Sequence, residues 1–156
     1  MMAPLMIAVT SRLMERRLSV LRFNFRGTGN STGAHDYGKA EQLDLSAAVE
    51  KARATGLPLH ISGWSFGAAV ALNWLCEQTE RIPFSAIAPP PEDLPERLPP
   101  GPKRIVVGTR DQVVDVDHLR RYAAEHQIDL VLTSGDHFFH GRGHKVGDLV
   151  AQGFEW

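Results

Sequence analysis

Cysteine is nearly missing from this sequence: Cys76 stands alone among 156 residues, which excludes an internal disulfide. It sits in an apolar helical stretch, where a free thiol behaves as a small hydrophobe, and a reducing cytoplasm is the compartment expected. An excess of either charge is missing too. With 17 Lys and Arg against 18 Asp and Glu the formal net charge is −1, so no broad field gathers phosphates or steers the chain to an anionic membrane. Neither nucleic acid nor a membrane is an expected partner. No apolar run approaches the roughly 20 residues that a helix needs to cross a bilayer. The apolar stretch 1–9 has no basic region ahead of it, its charges (Arg12, Glu15, Arg16, Arg17) following instead, so it does not read as a signal peptide. Proline is scarce outside 89–102, where Pro89, Pro90, Pro91, Pro95, Pro99, Pro100 and Pro102 read as a stiff surface loop rather than a linker. What is present is a chain with 43% hydrophobic residues, expected to form a single domain over 1–156.

Periodicity and punctuation give an alternating order of elements. Pro4 opens a helix through about 17, with Leu5, Val9 and Leu13 on one face. A strand is expected at 18–25, a Gly/Ser/Asn loop at 26–38, and a helix at 39–54 stopped by Gly56 and Pro58. A strand at 59–62 turns at Gly63-Trp64-Ser65 into an apolar helix at 66–78, in which Ala68, Ala69 and Ala71 suit close packing on a sheet. Strands at 84–87 and 104–107, a helix at 116–126, a strand at 129–132 and a terminal helix at 146–154 complete the series. Strands alternating with helices at this spacing predict an α/β fold: an open, mainly parallel sheet with helices on both faces.

Gly63-Trp64-Ser65-Phe66-Gly67 matches G-x-S-x-G and lies between a strand and a helix, where the motif has mechanical meaning. A serine there is lifted above the sheet edge on a strained backbone, and a Cβ at the flanking glycines would collide with the neighbouring helix and strand. A serine hydroxyl needs a base, and the base an acid behind it. Asp111 follows the strand at 104–107, and His137 follows the strand at 129–132. All three candidates thus follow strand C-termini, which share one rim in a parallel sheet. Asp115 and Asp117 stay open as alternatives for the acid, although capping the helix near Val116 is the commoner task for such residues. His140 competes with His137 for the base.

These segments, with Leu21-Arg22-Phe23-Asn24-Phe25-Arg26-Gly27-Thr28-Gly29-Asn30-Ser31 and Gly135-Asp136-His137-Phe138-Phe139-His140-Gly141, resemble an α/β-hydrolase over nearly the whole chain. The likeness is specifically to small bacterial-type, uncharacterised hydrolases without a large lid. It implies Ser65, Asp111 and His137 as catalytic residues in the order Ser, Asp, His, with Phe66 N–H as one oxyanion donor. It also places the base first in the 135–141 loop, favouring His137, with Phe138 and Phe139 packing beneath it. No cofactor or metal is implied, and the expected partner is a small-molecule acyl substrate.

Other signals are weaker. Residues 27–33 resemble a phosphate cradle, but the next helix starts only after His35, Asp36 and Tyr37, and the hydrolase resemblance implies instead an arginine-glycine loop here, structural and near the pocket rim. His137, His140 and His144 lack the companion ligands of a zinc site. Trp64 fits either the core or an acyl pocket, and Arg120 and Arg121 read as a solvated face. The chain departs from the family pattern at its start, since the second oxyanion donor belongs to a loop after a strand not found here. An internal translation start or a truncated descendant would account for this. The strands at 18–25 and 59–62 are then expected either to pair directly or to have their gap filled by a second subunit, and an exposed strand edge would favour a homo-oligomer. The leading expectation is a serine hydrolase of small carboxylic esters acting through an acyl-enzyme. The rival is an inactive binding or interaction domain.

Overall fold

The computed structural model describes residues 3–154. Its elements are α1 (Pro4–Glu15), α2 (Glu41–Arg53), β1 (Ile61–Trp64), α3 (Phe66–Cys76), β2 (Phe84–Ile87), β3 (Lys103–Gly108), α4 (Val116–Glu125), β4 (Asp129–Thr133) and α5 (Gly143–Ala151), with 3-10 turns at Pro91–Asp93 and Gln152–Phe154. The four strands are all parallel and lie side by side in chain order. Ile61 is in register with Phe84, Ala86 with Ile105, and Val106 with Val131. This is the α/β architecture anticipated from the sequence. Parallel strands covered on both faces are apolar throughout rather than alternating, and all four residues of β2 are buried accordingly.

The helices pack as two layers around the sheet, α1 against α5 and α2 against α3. In α3 every residue from Ala68 to Leu72 is buried, as a helix without a polar face requires. Its three alanines add little side-chain bulk between helix and sheet. The α1–α5 contact is closer still. A Cβ on Gly147 would come within 2.7 Å of Arg12 Cβ, and one on Gly143 would overlap Ala8 Cβ. These glycines therefore lie inside the helical contact, and α5 begins at 143, ahead of the expected 146. Arg17, with φ of 63°, ends the first helix early because that backbone conformation cannot continue it.

The expected strand at 18–25 is not formed. Residues 18–40 contain neither helix nor strand, and 18–25 does not pair with β1. The sequence there has the β-branched and aromatic residues of a strand, but a strand exists only through a neighbour's hydrogen bonds. The first of the two expected outcomes, direct pairing of 18–25 with the next strand, is thereby overturned. The proline-rich connection, by contrast, is pinned: Tyr122 Oη donates to Pro95 O at 2.7 Å, and Asn73 Nδ2 to Asp93 O at 2.9 Å.

His60, just ahead of β1, stacks on Phe154 at 4.1 Å and shares a 3.0 Å hydrogen bond between its Nε2 and Ser85 Oγ. Its buried Nδ1 has no hydrogen-bond partner. Burial, reinforced by the charge of Arg104, pushes the imidazole down to about 4. Because the unfolded chain then binds the extra proton more readily, the neutral ring adds no penalty above about pH 6.5, and stability falls as pH drops from there towards about 4. Urea unfolding at pH 7 and pH 4.5 is expected to show a loss on acidification about 2 kcal/mol larger in the parent protein than in His60→Gln. Equal losses in the two proteins would refute the assignment.

Candidate active site

The site begins with a steric constraint at the end of β1. A Cβ on Gly63 would lie 2.6 Å from both Ala68 N and Ala68 Cα, so only glycine allows α3 to start this close to the strand. The turn forces Ser65 to φ 51° and ψ −126°, a conformation that non-glycine residues rarely adopt. It is held there by Ser65 N–H donating to Ile87 O at 2.8 Å and by Ser65 O accepting from Ala68 N–H at 2.9 Å. Phe66 N–H, at the start of α3, donates to no acceptor among the described residues. It is thus free for an anion at the positive end of the helix.

Two loops meet beyond the sheet edge. Gly108 ends β3 so close to the 133–137 turn that an added Cβ would overlap Gly135 O, and Arg110 N–H donates to that same carbonyl at 2.9 Å. This backbone contact brings Asp111 and His137 together. Asp111 Oδ1 accepts from Val113 N–H and Val114 N–H at 2.9 and 3.0 Å, leaving Oδ2 to take His137 Nδ1–H at 3.0 Å. His137 Nε2 is then the acceptor for Ser65 Oγ–H at 3.1 Å. The three candidate residues form one continuous hydrogen-bonded chain, with the carboxylate fully enclosed and His137 4% exposed.

The competing candidates are otherwise engaged. Asp115 caps α4, its Oδ1 accepting His118 N–H at 2.9 Å, and that bond is the main cause holding its carboxyl below the usual range. Asp117 lies on the surface at 3.8 Å from Arg120. His140 is exposed and pairs with Asp136 Oδ2 at 2.9 Å, a bond that leads in lowering the Asp136 carboxyl. The two phenylalanines separate: Phe139 is buried, whereas Phe138 is 51% exposed and packs edge-on against both His137 and Trp64.

Trp64 is partly buried against the core and lines the pocket, and its Nε1–H donates to His137 O at 3.1 Å. No local signal announces this bond, because its partner lies 73 residues away. Glu41 was likewise invisible in the sequence. It is fully buried, where desolvation alone would raise its carboxyl. Instead Asp36 N–H at 2.8 Å, Gly38 N–H at 2.9 Å and His35 hold it below the usual range. Together with Arg26, whose backbone and guanidinium both bond Asp44, it fixes the 26–38 loop beside Phe66. That loop's glycines serve turns, in keeping with its structural reading. From Ser65 a largely apolar groove of about 820 Å³ runs between Trp64, Phe138, Phe25 and Val113 and on towards Leu13.

Residues 1–150 match the family model of an alpha/beta hydrolase domain. The chain is 33% identical over 144 residues to an uncharacterized protein of Rickettsia prowazekii, covering 81% of this chain and spanning 60% of that protein's length. Among solved structures it is similar to a Xanthomonas campestris protein described as an α/β serine hydrolase without lid, with a TM-score of 0.86 and 29% identity over 98% of this chain and 73% of that one. An α/β serine hydrolase homologue from Coxiella burnetii matches with a TM-score of 0.86 and 28% identity, covering 96% of this chain and 76% of its own. With its parallel sheet, glycine-flanked serine turn and matching family model, the chain belongs to the alpha/beta hydrolase domain family.

Proposed function

We propose that this protein is a serine hydrolase of small carboxylic esters, working in the cytoplasm through Ser65, His137 and Asp111. The observation that carries this reading is the Ser65–His137–Asp111 relay at 3.1 and 3.0 Å, opening onto an apolar groove. The serine-hydrolase description of the Xanthomonas relative supports the same class. Ser65 Oγ attacks the ester carbonyl carbon while His137 Nε2 takes its proton, and the Asp111 carboxylate stabilises the imidazolium that forms. Phe66 N–H donates to the developing oxyanion. Collapse expels the alcohol, which receives its proton from His137, and water then cleaves the acyl-enzyme by the same steps. The exposed aromatic Phe138 and aliphatic Val113 beside Ser65 suit an apolar acyl or alkyl group. A second reading, an interaction domain without turnover, draws on the outer edge of β1, which pairs with no strand among the described residues.

Fluorophosphonate labelling followed by mass mapping separates these readings. Adduct formation is expected on Ser65, absent in Ser65→Ala and slowed by about 10³-fold or more in His137→Ala. A folded protein that stays unlabelled, or one labelled equally well without Ser65, would refute the hydrolase.

Trp64→Phe keeps the ring in the groove wall and deletes one hydrogen bond to the loop carrying His137. Removing a bond of this kind is expected to lower kcat on a p-nitrophenyl ester about 5- to 30-fold, at a cost of about 1–2 kcal/mol. KM should stay within about twofold if the ring's packing is retained. An unchanged kcat in Trp64→Phe would remove the indole from the positioning of His137.

A further inference from the structure

A second, smaller cavity of about 240 Å³ starts at Phe66, the residue that follows Ser65. Its floor is one face of α3, where Phe66, Ala69, Val70 and Asn73 stand at the i, i+3, i+4 and i+7 positions of a helical stripe. At 1.5 Å per residue that stripe runs about 10 Å from the neighbour of the nucleophile to Asn73. The walls are the turn carrying Tyr37 and Lys39, Gln42 in the first turn of α2, and Asp93 in the 3-10 turn. These walls are fixed in advance. Buried Glu41 holds the turn through Asp36 N–H and Gly38 N–H, and Asn73 Nδ2 ties α3 to the 3-10 turn through Asp93 O. Tyr37 is held by its turn at φ 51° and is 87% exposed, so its ring contributes nothing to the core.

The chemistry of the lining selects its occupant. Gln42 spends amide N–H on Gly38 O, and Asn73 spends its own on Ala69 O and Asp93 O, which leaves both amide oxygens as acceptors. Asp93 and Lys39 add a carboxylate and an ammonium, neither paired with an opposite charge among the described residues. Tyr37 adds a hydroxyl and a ring face. An anion here would face Asp93, a cation would face Lys39, and an alkyl chain would dehydrate every one of these groups without replacing a hydrogen bond. Neighbouring hydroxyls satisfy the whole set: they donate to Asp93 and the amide oxygens, accept from Lys39, and leave a C–H face for the tyrosine ring. We propose that this cavity is the alcohol subsite of the hydrolase and receives a neutral polyhydroxyl group, a single sugar ring or a glycerol unit. The proposal rests on the serine-hydrolase reading and adds a substrate class, an acyl ester of a polyol. Ser65 Oγ bonds the carbonyl carbon, the bond from that carbon to the polyol oxygen breaks, and the departing oxygen takes the proton from His137 Nε2.

The test compares butyryl esters that differ only in the alcohol: the primary hydroxyl of glucose, glycerol, ethanol, choline and glycerol phosphate. p-Nitrophenyl butyrate, measured alongside, reports the hydrolase itself. After division by each ester's rate with hydroxide, kcat/KM for the glucose or the glycerol ester is expected to exceed that for the ethyl ester about tenfold or more. Tyr37→Asn, which tolerates the left-handed backbone, and Asp93→Ala should each cut this preference about 3- to 10-fold. Both rates come from the same sample, so any loss of folded protein cancels in the ratio. Turnover of p-nitrophenyl butyrate without a polyol preference would overturn the subsite while leaving the hydrolase standing. A preference that survives undiminished in both variants would overturn it as well. Choline or glycerol phosphate as the favoured alcohol would assign the cavity to a cation or an anion and equally refute a neutral polyol. No turnover of any ester, the p-nitrophenyl ester included, would refute the hydrolase and this subsite with it.

Discussion

At position 63 the backbone of β1 and the first turn of α3 approach within a distance that admits no side chain, and the positive φ at Ser65 follows from that approach. If the turn were wider, Ser65 would continue into the helix or fall back into the strand, and in neither case would its hydroxyl stand above the sheet edge. The strain is maintained by neighbours that have their own reasons to be in place. β2 supplies Ile87 O to Ser65 N–H, and the apolar face of α3 is buried against the sheet. Local strain of about 1–3 kcal/mol persists only where the surroundings over-determine it, and here the packed helix and the strand ladder do so.

The same logic extends to the other two members of the relay. Neither Asp111 nor His137 is held chiefly by the other. The carboxylate is aimed by two backbone donors, Val113 and Val114, and the histidine loop is tied through Gly135 O to Arg110 and through His137 O to Trp64. In the proposed hydrolase, a relay built on backbone contacts would be ordered before substrate arrives, which is the condition for electrostatic stabilisation without reorganisation. The bond from Trp64 links the residue beside Ser65 to the histidine that bonds Ser65.

What could be read in the sequence was whatever is decided locally. The glycine-serine turn, the cap at Asp115 and the apolar faces of α1 and α3 all depend on residues within a few positions of one another, and their form follows from spacing. Ser65, Asp111 and His137 were legible because each follows a strand end on one rim, although which histidine reaches the serine depends on how the loops fold back. The buried Glu41 and the indole bond of Trp64 had no local signature, because burial and partners 73 residues apart are products of tertiary packing. The last helix was expected from 146 but opens at Gly143, and close approach to α1 requires glycine there and at 147.

The segment 18–25 shows the limit of local reading most clearly. Its residues have strand propensity, and Leu18, Val20 and Phe25 do pack against the core, so its composition was interpreted correctly. Its hydrogen bonds, however, are not its own to make. A helix closes its ladder within one segment, whereas a strand borrows half of every bond from a neighbour, and so the same eight residues are a strand or a loop according to what lies beside them. Among the described residues the edge of β1 is in the matching condition, with a formed ladder on the β2 side alone. Packing against the core and membership of the sheet are therefore decided separately: Leu18, Val20 and Phe25 keep the first without the second.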